Sequence, residues 1–179
     1  MKTVFLDIDS QRDFLYPAGA LYVPGAERIV PAIARLNRFA AAHGIPVIST
    51  TDAHTENDPE FSVWPPHCVA GTWGQRKAEA TLVEGASQII VEKQTVDVFL
   101  SSDLVRVVER LNAGRYVVYG VVTEICVLSA VRGLLKTGKP VTVVTDAVAA
   151  LTAEASARAL EEMRAGGGRL ATVSEICRV

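Results

Sequence analysis

Four residues whose side chains can act on a carbonyl group stand at the ends of apolar runs. Asp9 closes Thr3–Asp9, Asp52 follows Pro46–Thr51, Lys93 follows Ser87–Glu92, and Cys126 comes one short turn after Tyr116–Gly120. Ligands of open α/β sheets bind beyond the carboxyl ends of the strands, so these four groups are expected to converge. Cys126 lies in Gly120-Val-Val-Thr-Glu-Ile-Cys126, where a strand turns into a helix. A thiol in a first helical turn meets free backbone N–H groups and the positive end of the helix dipole, which favours thiolate. The same N–H groups can hold an oxyanion. Position alone fits a buried structural thiol equally well. An ionised Asp9 near the thiol can serve as general base, and a neighbouring Lys93 ammonium keeps that carboxylate charged. Singly, each is an ordinary strand-end charge; the argument rests on their convergence.

Asp52-x-His54, with His67 further along, supplies a carboxylate and two imidazoles. Mixed oxygen and nitrogen ligands suit one divalent ion of zinc, manganese or iron. Glu60 is available as a fourth ligand. Two of the three histidines occupy this one loop, although D-x-H is a weak pattern and loop histidines without a metal also fit it. The third, His43, precedes Gly44 and reads as a helix-end residue meeting the last carbonyls. Phe14, Trp64 and Phe99 lie near these groups in sequence and can wall an apolar slot for a planar ring.

Positioning these groups falls to short Val- and Ile-rich runs alternating with helix-period stretches, the pattern of βαβ units on a parallel sheet. The expected strands are Thr3–Asp9, Pro46–Thr51, Ser87–Glu92, Tyr116–Gly120, Pro140–Thr145 and Arg169–Val173. Expected helices cover Glu27–Ala42, Ser102–Asn112, Glu124–Thr137 and the stretch to Arg164 that Thr152 can cap. The irregular stretch from Asp52 to about Arg76 is too long for a mere connection and is expected to carry function.

The 179 residues fit one domain, 1–179, with a sizeable core. A net charge of −2 and the absence of Lys/Arg runs disfavour nucleic acid and anionic membrane as partners. No apolar run has the length of a membrane span. Met1-Lys-Thr-Val-Phe-Leu-Asp7 begins like a core strand rather than a signal peptide. Three cysteines at unrelated spacings make no disulfide framework, so a cytoplasmic location is expected.

From residue 4 to residue 175 the chain resembles the nicotinamidase branch of the isochorismatase-like cysteine hydrolases. The resemblance is carried by Asp9-Ser-Gln-Arg-Asp13-Phe14, Gly19-Ala-Leu-Tyr-Val-Pro-Gly25, Asp52-Ala-His54, Trp64-Pro-Pro-His67-Cys-Val-Ala-Gly71-Thr, Val91-Glu-Lys93, Gly120-Val-Val-Thr-Glu-Ile-Cys126 and Val143-Val-Thr-Asp146. It implies a Rossmann-like, three-layer α/β fold, with helices on both faces of a six-stranded parallel sheet. It also implies a catalytic triad of Asp9, Lys93 and Cys126, and an oxyanion hole from the backbone N–H groups of Val122 and Cys126. A cis peptide between Val121 and Val122 and a metal at Asp52, His54 and His67 belong to the same expectation. The implied partner is a small-molecule amide, nicotinamide or another, and a homo-oligomer is left open. A rival pattern is Phe5-Leu-Asp7-Ile-Asp9, which resembles the D-x-D of phosphatases in which the first Asp attacks phosphorus.

Overall fold

The computed structural model describes residues 2–84 and 88–178. Among them, the expected apolar runs become six parallel strands: β1 (Thr3–Ile8), β2 (Val47–Asp52), β3 (Gln88–Lys93), β4 (Arg115–Val121), β5 (Val141–Ala149) and β6 (Arg169–Ala171). Ser87, the expected start of the third strand, lies outside the described residues. The strands form one sheet in the order β3-β2-β1-β4-β5-β6. Phe5, Leu6 and Ile8 on β1 and Val117 and Val118 on β4 are buried, as central parallel strands must be when both faces are covered.

The helices are α1 (Arg12–Leu15), α2 (Val30–Ala42), α3 (Ser102–Leu111), α4 (Leu128–Lys136), α5 (Ala153–Ala165) and α6 (Val173–Ile176). The chain steps from β1 through α2 to β2 in one direction, then through α3, α4 and α5 in the other. Right-handed crossovers therefore place α2 on one face and α3, α4 and α5 on the opposite one. Packing agrees: α2 meets α6, whereas α4 meets α5 and the 3₁₀ turn Val98–Leu100 that leads into α3.

Two helices begin later than their hydrophobic period suggests. Pro31 has no N–H to donate back to Glu27, so Ala26–Ile29 closes as a 3₁₀ turn and α2 starts at Val30. Ahead of α4, Thr123–Val127 forms a π turn, closed by Val127 N–H donating to the Val122 carbonyl at 3.1 Å. The end signals read from sequence are in place. Gly44 and Gly138 adopt left-handed conformations, the Thr152 hydroxyl accepts from Ala155 N–H, and His43 Nδ1 lies 2.8 Å from the Phe39 carbonyl. No helix among the described residues is long and apolar enough to cross a membrane.

Candidate active site and metal centre

Strand order reverses beside β1, since β2 and β4 flank it and the chain leaves in opposite directions. At such a switch point the carboxyl ends of the strands open a crevice. Asp9 follows β1, Asp52 ends β2, Lys93 ends β3 and Cys126 sits in the turn after β4, all at that edge. Gly120 makes the close approach possible. Its φ is +120°, and a Cβ there would stand 2.0 Å from the Ile8 carbonyl oxygen.

Lys93 is the hub. Its Nζ lies 2.9 Å from Asp9 Oδ2, donates to Asp52 Oδ1, and lies 3.8 Å from Cys126 Sγ. Asp9 is further fixed by Thr50, whose hydroxyl donates to Oδ1 at 2.6 Å. Asp9, Lys93 and Cys126 are thus brought together, each buried. Burial alone would lower the Lys93 ammonium, but Asp9, Cys126 and Asp52 around it hold it well above its ordinary range. Burial pushes the Cys126 thiol well up; Lys93 opposes this, and Asp9 and Asp52 add to it. The expectation of a ready-made thiolate is therefore corrected. Cys126 occupies the π turn rather than the first turn of α4, and two carboxylates share its surroundings. Burial, with Asp9 beside it, pushes Asp52 up to about 7 despite Lys93.

Asp52, His54 and His67 each offer a ligand atom, all within 4.8 Å of one another. The two imidazoles are buried, with ring centroids 4.8 Å apart. His67 Nδ1 donates to the Pro65 carbonyl at 2.8 Å, which leaves Nε2 with a free lone pair. His54 Nδ1 lies 3.1 Å from Asp58 Oδ2, though off-line for a hydrogen bond, and Nε2 has no hydrogen-bond partner. Two buried nitrogens without a protein donor, beside a carboxylate, fit a divalent cation. Local backbone pairing sets the trio: His54 N–H donates to the Cys68 carbonyl and Ala70 N–H to the His54 carbonyl. Glu60 stands at the rim, half-buried, with Oε1 3.9 Å from His67 Nε2. It lies outside the close trio.

A cavity opens over these groups. Asp9, Asp52, His67, Val122 and Cys126 contribute to it, and Phe14 and Trp64 wall it as expected. Phe99 does not. It packs on α4, where a Cβ added to Gly133 would fall 2.2 Å from its ring, and Val96 supplies the corresponding wall. Aromatic type pointed to Phe99, but the 3₁₀ turn at Val98–Leu100 carries it to the helical layer. Sequence reasoning also missed Leu21, Val23, Ile125 and Leu151, apolar wall residues with no chemical signature. The Val121–Val122 peptide is cis. Asp7 stands outside the cavity lining, fully buried and paired with Lys77 Nζ at 2.6 Å, so it is unavailable as a phosphatase nucleophile.

Two further residues act through the backbone of the site. The Gln11 amide donates to the Asp52 carbonyl at 2.8 Å and accepts from Asp52 N–H at 2.7 Å, which clamps the end of β2 that carries Asp52. Asp13 accepts from Ala20 N–H and Cys68 N–H at 2.8 and 2.7 Å, tying down the chain beside His67. Both stand in the Asp9-Ser-Gln-Arg-Asp13 stretch singled out from sequence, where spacing gave no hint of these partners.

Comparisons with known proteins agree with this geometry. The Isochorismatase domain model matches residues 3–175. The structure of a pyrazinamidase of Pyrococcus horikoshii in complex with zinc superposes with a TM-score of 0.88 at 30% identity, covering 96% of this chain and 99% of that one. The nicotinamidase/pyrazinamidase of Mycobacterium tuberculosis is 29% identical over 88% of this chain and 91% of its own length. A probable inactive nicotinamidase of Arabidopsis thaliana is 26% identical over 97% and 94%. The chain belongs to the isochorismatase family.

Proposed function

We propose that this chain is a cysteine-dependent amidohydrolase of the nicotinamidase type, converting nicotinamide and water to nicotinate and ammonia. The observation that carries the reading is the Lys93 ammonium, which touches Asp9, Asp52 and Cys126 together. One cation thereby joins a base and nucleophile to a ligand of the Asp52, His54 and His67 trio. The relatives named nicotinamidase and pyrazinamidase support the amide substrate.

Asp9 takes the proton of Cys126 as the sulfur attacks the amide carbon, and Lys93 holds Asp9 charged until then. The backbone N–H groups of Val122 and Cys126 receive the oxyanion. Asp9 returns the proton to the leaving nitrogen, and ammonia departs. A water deprotonated by Asp9 then cleaves the thioester, and the thiol recovers its proton as the acid leaves. Asp52, His54 and His67 would hold a divalent ion of zinc, manganese or iron, which when bound would supply an electrophilic anchor for the ring nitrogen; Glu60 stands nearby at the rim. Phe14 and Trp64 flank the ring. The free cysteines fit a cytoplasmic setting.

Ammonia release from nicotinamide, pyrazinamide and small aliphatic amides tests the reading. Nicotinamide and pyrazinamide are expected to turn over, Cys126→Ala to be inert, and mass spectrometry to find the acyl adduct on Cys126. Preference for an aliphatic amide would overturn the substrate, and an adduct on Cys68 or Cys177 would overturn the nucleophile.

A further inference from the structure

The mechanism leaves unused one fully buried ion pair. Asp7 stands in the middle of β1 between Leu6 and Ile8, where a core strand would ordinarily carry an apolar residue. Its Oδ2 lies 2.6 Å from Lys77 Nζ and accepts from Asn37 Nδ2 at 2.8 Å. Asn37 in turn accepts from the Tyr119 hydroxyl at 2.5 Å. The network therefore runs from β4 through α2 to β1. At its other end Lys77 Nζ donates to the Ser10 hydroxyl, one residue from Asp9.

A buried ion pair is a poor source of stability, because desolvation offsets the attraction. Its effect here is placement. Lys77 bridges antiparallel to Gln11; Ala78 N–H donates to the Ser10 carbonyl at 2.9 Å and Arg12 N–H to the Arg76 carbonyl at 2.9 Å. Residues 76–78 thus form a short splint along residues 10–12. Asp9 itself has a φ of +48°, a left-handed conformation that a non-glycine residue keeps only when its surroundings enforce it. The far side of Asp9 is held by Thr50 and Lys93, and Gln11 is clamped to Asp52 on β2; between these two anchors the Ser10 side chain is held by Lys77.

We propose that Lys77, anchored by Asp7, is a positioning residue for the reaction: it locks the Ser10 turn so that the Asp9 carboxylate stays aimed between Lys93 and Cys126. This rests on Asp9 being the base. A misplacement of about 1 Å at a reacting group can cost roughly 100-fold in rate.

The test pairs Asp7→Asn with Lys77→Met, which removes both charges while keeping the acceptor for Asn37 and the lysine stem. Ser10→Ala, which cuts the link from Lys77 to the turn and with it the long 3.4 Å contact to the Thr81 hydroxyl, is measured beside it. Both are compared with Asp9→Asn for kcat and KM with nicotinamide, and for the rate of Cys126 alkylation without substrate. The double variant is expected to lose roughly 10–100-fold in kcat and to alkylate more slowly, with KM near wild type; Ser10→Ala loses about tenfold. Should the double variant not fold, Ser10→Ala decides. Wild-type kcat and alkylation in a folded variant, with Asp9→Asn inactive, would overturn the positioning role alone. An active Asp9→Asn would overturn the base and the proposal with it.

Discussion

Replacing Lys93 by Met separates the two tasks its ammonium performs. The side chain is buried and contacts Asp9 and Asp52, so Lys93→Met leaves two carboxylates facing each other without a cation. Breaking a buried pair on one side costs about 3–5 kcal/mol, which for a chain of this size is a fall of roughly 6–20 °C in Tm. The loss must also depend on pH. Asp52 is pushed up to about 7 even with Lys93 present, and without it the carboxyl rises further. A carboxyl whose folded value exceeds its unfolded one is fully tolerated below the unfolded value and weakens the fold as pH climbs towards the folded value. In wild type that decline ends near pH 7. In Lys93→Met it continues above, at up to about 1.4 kcal/mol per pH unit, so the gap between the two proteins widens from pH 7 to pH 8.5. Zinc should narrow the gap, because a cation on Asp52 replaces part of the missing charge. Thermal melts of both proteins at three pH values, with and without zinc, measure this. Parallel Tm curves, or equal zinc stabilisation of both, would refute the view that Lys93 balances the pair.

Gly120→Ala should destabilise by about 2–5 kcal/mol and depress kcat, since its Cβ would meet the Ile8 carbonyl at 2.0 Å, directly before Asp9; circular dichroism and turnover check it. Metal affinity of the wild type should fall about tenfold per pH unit below pH 7, because Asp52 near 7 must give up a proton to bind; chelator competition at pH 7 and pH 6 measures the slope. His54→Ala or His67→Ala should remove the ion, seen by elemental analysis, and raise KM while Cys126 alkylation persists, because Lys93 remains held by Asp9.

What the sequence made legible followed from local rules. Strand positions were readable because buried parallel strands are nearly continuous apolar runs, and helix ends because Gly44, Gly138 and Thr152 carry their own stop or start chemistry. Asp9, Asp52, Lys93 and Cys126 stood out only together, because four chemically capable groups at the ends of successive parallel strands are carried to one edge of the sheet. The rest depended on tertiary packing. Phe99 and Val96 differ by three positions, and the 3₁₀ turn Val98–Leu100 that contains Phe99 decides which reaches the cavity. The thiol's high proton affinity arises from burial and from carboxylates on other strands, which a helix-dipole argument confined to one segment cannot register. Asp7 read as half of a D-x-D pair because its actual partner, Lys77, stands seventy residues away, in a stretch with no periodic signal.

The sharing of Lys93 between the triad and the metal trio follows from strand order. β3, which carries Lys93, is two strands from β1, which carries Asp9, and β2 lies between them. Adjacent strands are about 4.8 Å apart, so roughly 9.6 Å separates the two backbones. A lysine stem reaches roughly 6 Å, and an aspartate carboxylate covers most of what remains. Lys93 can therefore meet Asp9 only by passing over the end of β2, where Asp52 is its direct register partner. Contact with Asp52 is then unavoidable, and the ammonium must satisfy both carboxylates. Asp52 answers by dividing its oxygens: Oδ1 accepts from Lys93, and Oδ2 stands 3.9 Å from His54 Nε2 on the metal side. A shorter or neutral side chain at position 93 would leave Asp9 without its cation, and a sheet with β2 elsewhere would leave Asp9 and Asp52 electrostatically independent.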